Sequence, residues 1–280
     1  IIPEGSTGVG LTPQTVLPGT RRCDNLPRGH IMPEVTRGNV FLSGNQDITE
    51  QFSLYLQGLY SRREFELRDS GAVSNLSVPR TNPFYFNPTG GTGNVTVQYD
   101  FANDFGLAVN PGTAESYQGT LGGRYRFGKD WQLDAYVSYG ASDDEVRRTN
   151  NLNTTSTGIN ARLANPDPQQ AFNPFGSGSS NSAAVNDALS NGQFIIQGGT
   201  ELTVYAVQAD GPVYDLPGGS VRLAVGAEYR DEELNSLLQS GSTVAPVVVP
   251  GYSSRSVKAV FGEVFVPLVG ADNAVAGAQR

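Results

Sequence analysis

The sequence predicts an all-β fold, an antiparallel up-and-down meander that forms part of a transmembrane β-barrel with long extracellular loops and short periplasmic turns. Three observations predict it. Apolar and polar residues alternate strictly over long stretches, the period-2 signature of strands with two different environments. The chain holds 34 Gly and 17 Pro with one Met, a composition that suits turns and polar loops better than helices. Short turns and long polar connections also succeed one another, and membrane barrels follow that two-sided rule whereas sandwiches do not.

Residues 117–141 carry the clearest pattern. Tyr117, Gly119, Leu121, Gly123, Tyr125 and Phe127 alternate with Gln118, Thr120, Gly122, Arg124 and Arg126. After the turn Gly128-Lys129-Asp130, Trp131, Leu133, Ala135, Val137 and Tyr139 alternate with Gln132, Asp134, Tyr136, Ser138 and Gly140. Each arm has the ~9–11 residues a tilted strand needs to cross a bilayer, against about 5–6 for most soluble strands. Tyr125, Phe127 and Trp131 gather at the turn, and Tyr117 and Tyr139 stand at the far ends. Two interfacial girdles would be arranged in this way.

Taken in order, residues 1–34 are rich in Gly, Pro and Thr without periodicity and read as a loop segment. That segment contains Cys23 and His30, the latter a solvated loop histidine with no metal-binding neighbours. A strand is expected over 35–47, with Val40 and Leu42 on one side. The next sets Phe52, Leu54, Leu56, Gly58 and Tyr60 against Ser53, Tyr55, Gln57 and Leu59, and continues into the charged stretch 62–68, as a sheet projecting beyond the bilayer would. Residues 69–115 and 142–200 read as long loops punctuated by Asn82-Pro83-Phe84, Asn87-Pro88, Asn165-Pro166 and Asn173-Pro174-Phe175, with a short strand over 95–101 in the first. A strand over 201–216, the turn Pro217-Gly218-Gly219-Ser220, and a return strand through Tyr229 repeat the hairpin. A shorter loop over 231–254 and a last strand over 255–269 complete the count at seven long strands. Seven strands that do not close leave unpaired backbone groups where no water reaches them, so residues 35–280 are expected to be part of a barrel, with no plug domain in the chain.

The net charge of −8 and scattered Arg residues argue against a nucleic-acid partner. One Cys and one His leave no Cys-His pair, no His-based triad and no zinc spacing, so no enzyme activity and no cofactor are expected. Asp143-Asp144-Glu145 reads as a solvated acidic loop, since it lacks the framework of a calcium site. Ser177-Gly178-Ser179-Ser180 lacks the Lys and helix of a phosphate-binding loop. No apolar run is long enough for a transmembrane helix. Arg124, Arg126, Asp134, Arg222, Glu228 and Arg230 are expected to face the barrel lumen, because an Arg or Lys facing lipid at mid-depth costs about 2–4 kcal/mol. Mutual ion pairing along a wet wall is their simplest role.

Several segments resemble a known family. Asp47-Ile48-Thr49-Glu50-Gln51 with Leu59-Tyr60-Ser61-Arg62-Arg63, the Asn-Pro-Phe segments, Leu216-Pro217-Gly218-Gly219 with Val225-Gly226-Ala227-Glu228-Tyr229-Arg230, and Ala259-Val260-Phe261-Gly262-Glu263-Val264-Phe265 are similar to the barrel of TonB-dependent outer-membrane receptors. The resemblance covers about residues 35–269. It implies residence in the Gram-negative outer membrane, surrounded by its lipid, and a 22-stranded barrel around a plug domain. It also implies active import of a scarce nutrient (a metal chelate, cobalamin or a glycan), driven through the TonB system. Substrate contacts would then fall to the outer loops, at Arg80, Tyr85, Phe172 and Phe175. A porin-type or surface-export barrel without energy coupling, and a soluble secreted β-module, are the alternative readings.

Overall fold

The computed structural model describes residues 1–3, 5–19, 29–69, 71–176, 180–270 and 273–274. Cys23 and Ser177-Gly178-Ser179 lie outside the described residues. Seven strands form one antiparallel sheet, in the order of the chain apart from one inserted hairpin: β1 (Glu34–Asp47), β2 (Phe52–Arg68), β5 (Val109–Phe127), β6 (Trp131–Asn151), β7 (Gly192–Leu216), β8 (Gly219–Ser242) and β9 (Ala245–Phe265). The all-β meander expected from the alternation is therefore present. Residues 48–51, 128–130 and 217–218 make the short turns at one end, hereafter the turn end. At the first of these, the Thr49 hydroxyl accepts from the backbone N–H groups of Gln51 and Phe52.

The strands are longer than the alternation indicated. The expected loop over 231–254 is strand throughout except at its tip, as β8 and β9 pair without interruption from Arg222–Phe265 to Ser242–Ala245. Asp143-Asp144-Glu145, expected in a loop, lie within β6. Pro246 and Pro250 read as strand breakers, yet β9 is an edge strand, where a missing N–H faces away from the ladder and is tolerated.

The described residues of the connections 69–108 and 152–191 at the opposite end are folded, and they fold together. The first holds a two-stranded hairpin, β3 (Val73–Val78) and β4 (Val95–Asp100), and helix α1 (Ala102–Phe105). The second holds α2 (Ile159–Ala164) and α3 (Ala183–Ser190), the latter capped by the Ser182 hydroxyl accepting from Val185 N–H. Every Asn-Pro motif in these connections builds the same turn. The side-chain oxygen of Asn82, Asn87, Asn165 and Asn173 accepts, at 2.9–3.0 Å, the N–H of the residue after its proline. Proline fixes its own backbone and Asn closes the ring, which is why this dipeptide initiates turns.

These pieces surround the protein's main buried cluster: Leu76, Val78, Val97, Tyr99, Phe101, Ile159, Leu163, Phe172, Phe175, Val185 and Leu189. We call this unit the cap. The Phe101 and Phe172 rings, both fully buried, lie 5.5 Å apart and each contacts Tyr99. Asn82 joins the two connections, its amide donating to the carbonyls of Leu163 (2.9 Å) and Phe172 (3.0 Å). The N-terminal segment docks here as well. Thr7 bridges to Gly176, its carbonyl accepts from the Asn173 amide, and Ile2 and Leu11 pack against the cluster.

Candidate functional site

The long sheet has two chemically distinct faces, and the pleat assigns every residue to one of them. One face carries Leu54, Leu56, Leu121, Val137, Tyr205, Val207 and Val225, all exposed. The other carries Asp134 and Ser138, only 7% and 9% exposed. A water-soluble sheet would instead shelter such an apolar face against a second layer.

Aromatic residues border the apolar face in two rows. At the cap end stand Tyr60, Tyr117, Tyr139, Tyr205 and Tyr229; at the turn end stand Phe52, Tyr125, Trp131 and Tyr214. The two rows are eight positions apart on β2, β5 and β6, and on β7 after allowance for the one-residue shift between Pro212 and Tyr214. The rows also slope. Tyr117 pairs with Ala141, which pairs with Glu201, which pairs with Glu233, and Tyr229 lies four residues from Glu233 toward the turn end. At ~3.3 Å per residue and ~4.8 Å per strand, the row descends about 13 Å across about 14 Å, an angle of about 40°. Strands of closed barrels tilt by ~35–45°. Lys258 continues the sloping row onto β9, its amine 6.0 Å from the Tyr229 ring centre.

Beyond the cap-end row the faces exchange chemistry although the pleat continues. The formerly apolar face now presents Arg62, Glu64 and Glu66 on β2, Asp143, Glu145 and Arg147 on β6, Glu201 on β7, and Asp231 and Glu233 on β8. The opposite face becomes apolar along one row, Val35–Phe65–Gly112–Val146–Ile196–Leu238–Val249, each residue paired to the next across all seven strands. In this outer region Arg147 and Gln197 donate to Glu145 and hold its carboxyl below the usual range.

The six charged residues expected on the polar face share it, and most are paired. Arg124 donates through Nε to Asp134 at 2.8 Å, while the Tyr55 hydroxyl donates to the other Asp134 oxygen at 2.8 Å. Arg124 also stacks on the Tyr55 ring at 4.7 Å. Arg222 bonds Asp210 at 2.9 Å, and Arg230 lies 3.4 Å from both Glu228 and Glu232. Arg126 is exposed and has no salt bridge among the described residues. Tyr55 and Asp210, which complete these pairs, stand on the polar face by their parity, so the alternation places them though charge alone does not select them.

The outer-loop residues divide differently. Phe172 and Phe175, expected to contact a ligand, are 0% and 2% exposed and belong to the cap core; an aromatic among turn residues reads as surface until its distant partners are known. Tyr85 is half-buried and its hydroxyl donates to the Gly93 carbonyl, bracing its own loop. Arg80 alone of the four is exposed. Within the cap, burial raises the Asp104 carboxyl above its ordinary value, and burial beside Asp104 pushes the Tyr99 phenol up. Among the described residues no group of His, Cys, Asp and Glu is arranged to hold a metal ion, and no helix is long and apolar enough to cross a membrane.

These features define an antiparallel meander with an apolar, aromatic-bordered band on one face and charged residues on the other. Comparison with protein-family models gives no match, and no curated protein matches the sequence.

Proposed function

We propose that the seven long strands are an arc of an outer-membrane β-barrel of the TonB-dependent receptor type, whose complete barrel imports a scarce nutrient. The exchange of chemistry between the faces at the cap-end aromatic row carries this reading. Below that row the outward side chains are those that hydrocarbon accepts, and the inward ones need water or ion partners; above it the outward side chains are those that water accepts. A single pleated sheet has reason to swap faces at one sloping line only where its surroundings change. Eight residues at ~3.3 Å, inclined by about 40°, span about 20 Å between the two aromatic rows, in keeping with an apolar band ~25 Å tall that includes the rings.

On this reading the turn end is periplasmic, the cap is extracellular, and the ion-paired polar face lines the lumen. The segments similar to TonB-dependent receptors run along the same strands and support active import over passive diffusion. Plug and TonB contacts fall to the inner wall near the periplasmic turns, where Arg124, Arg126 and Arg222 lie. Substrate contact falls to the exposed surface of the cap, with Arg80 as its candidate cation. A soluble secreted module fares worse, because it would expose the whole apolar band to water.

Membrane fractionation of the protein in its host is the test. The chain is expected in the outer membrane, released only by detergent and migrating differently before and after boiling. Recovery in a soluble fraction, stable without detergent, overturns the proposal.

A further inference from the structure

Two neighbouring rows of the apolar face differ in height. Lys258, Tyr229, Tyr205, Val137 and Leu121 are paired in turn from β9 to β5 and carry the larger side chains. One row nearer the turn end, Val260, Ala227, Val207, Ala135 and Gly123 are paired in the same way, and Ala227, Ala135 and Gly123 have a methyl group or nothing. Leu133 and Tyr125 rise again on the far side. The dip between them is an open groove of about 960 Å³ with a predominantly apolar lining.

The groove descends through the band. Tyr229 belongs to the cap-end aromatic row, whereas Leu121 lies four residues from that row's Tyr117, toward the turn end. At ~3.3 Å per residue and an inclination of about 40°, Leu121 is therefore about 10 Å deeper than Lys258. One leaflet's share of an apolar band ~25 Å tall is about 12 Å. From Lys258 to Leu121 the groove crosses four strand spacings, about 19 Å.

A cation stands at the shallow end. Lys258 is one of only two lysines in the chain. The other, Lys129, lies 3.9 Å from Asp215, whereas the Lys258 amine rests over the Tyr229 ring and has no salt bridge among the described residues. Ser254 and Ser256, exposed on the same face, offer hydroxyl donors just above it. Asp231 and Glu233 on β8 repel an anion from the other side, which leaves Lys258 as its anchor.

Resting on the barrel reading above, we propose that this groove seats one anionic lipid of the cap-side leaflet, with its phosphate on Lys258 and an acyl chain laid along Ala227, Ala135 and Gly123. A chain in the groove touches protein on three sides rather than one and gains the corresponding dispersion contacts. Lysine suits the boundary because its stem tolerates hydrocarbon while its ammonium reaches the anionic head groups. The floor offers no side-chain hydrogen-bonding group, so an extended polypeptide laid there would leave backbone groups unpaired in lipid, whereas an acyl chain needs none.

Photolabelling of the protein extracted from its host membrane tests this. The probes are phosphatidic acid and diacylglycerol bearing the same diazirine-labelled acyl chains, and adducts are mapped by mass spectrometry. Phosphatidic acid is expected to label residues 121–123 and 133–135 about fivefold more than diacylglycerol does, the weight of one lysine's attraction for an anionic head group. Lys258→Gln should abolish that preference. Ala227→Phe, or Ala135→Phe should the first fail to assemble, fills the groove and should remove labelling of these segments by both lipids. Val264→Phe, on the same face outside the groove, should change neither, and migration that still shifts on boiling shows that each variant is folded. Equal labelling by the two lipids, labelling spread evenly over the apolar face, labelling that survives the Phe substitutions, or none by either lipid because another polypeptide covers the groove would each overturn the proposal while leaving membrane residence intact. A chain found in the soluble fraction instead removes the barrel reading itself.

Discussion

The ring of Tyr55 lies flat across Gly122, its directly paired neighbour on β5, in the space that a Cβ at Gly122 would occupy. Because β5 offers no side chain there, the Tyr55 hydroxyl reaches over a whole strand to Asp134 on β6. The device recurs. Phe65 covers Gly112, Trp131 covers Gly211, and Phe261 covers Gly226, so aromatic rings shield the glycines that weaken long strands.

Gly122→Ala should therefore displace the Tyr55 ring and loosen its bond to Asp134. Forcing a methyl into a filled site costs typically ~1–3 kcal/mol. The expected loss, read as a lower unfolding temperature of the detergent-solubilised protein, should shrink in a Tyr55→Ala background, where the ring is gone. Equal losses in both backgrounds would show that the ring and the glycine are not coupled.

The two-face assignment predicts a steep asymmetry for introduced charge. Leu121 lies four residues from both Tyr117 and Tyr125, midway between the aromatic rows, on the apolar face. On the barrel reading, Leu121→Arg should impair membrane assembly by about 2–4 kcal/mol, whereas Gln118→Arg, exposed on the polar face three residues away, should be near neutral. Ser138, at 9% exposure and bonded to Thr120, is too crowded to serve as the inward control. Comparable heat-modifiable barrel yield from the two variants would reverse the assignment of faces.

Phe172→Ala should open the cap and leave the sheet folded. Loss of a buried Phe costs roughly 3–5 kcal/mol, and the ring packs against Tyr99 and Phe101, joining the second connection to the hairpin of the first. Hydrogen exchange at the Asn153 N–H, bonded to the Leu189 carbonyl, should accelerate, while the β5–β6 ladder keeps its protection. Uniform acceleration across cap and sheet would mean that they unfold as one unit.

Asp104 sets a pH dependence in the cap. Its folded pKa is raised, burial being the leading cause, so the folded state holds the proton more tightly than the unfolded chain. That contribution to stability is fully present below the ordinary Asp value of 3.8 and is lost as pH rises through the folded value. Asp104→Asn should slow exchange of cap amides at neutral pH and flatten their dependence over the acidic range. A variant cap less protected at pH 7 than the parent would contradict the sign.

Local chemistry made most of the sheet legible. Alternation is a property of consecutive residues, so residues 117–141 declared their strands, their turn and their two faces without reference to anything distant, and the same rule put Arg124, Asp134, Arg222 and Glu228 on one face. It failed where the surroundings change. Over 231–254 the apolar side chains move to the other face and two prolines intervene, so the pattern resembles a loop although both strands continue. The short helices α2 and α3 were hidden too, because helices of six and eight residues owe their stability to packing rather than propensity.

The sequence by itself thus determined the strands, the faces and the spacing of the aromatic residues, all of which follow from a period of two along the backbone. Only the tertiary structure decided that Phe101 and Phe172 meet, that two separate connections make one cap, and that the aromatic residues align into sloping rows. Those outcomes depend on contacts and strand register between segments far apart in the chain, and no local period encodes them.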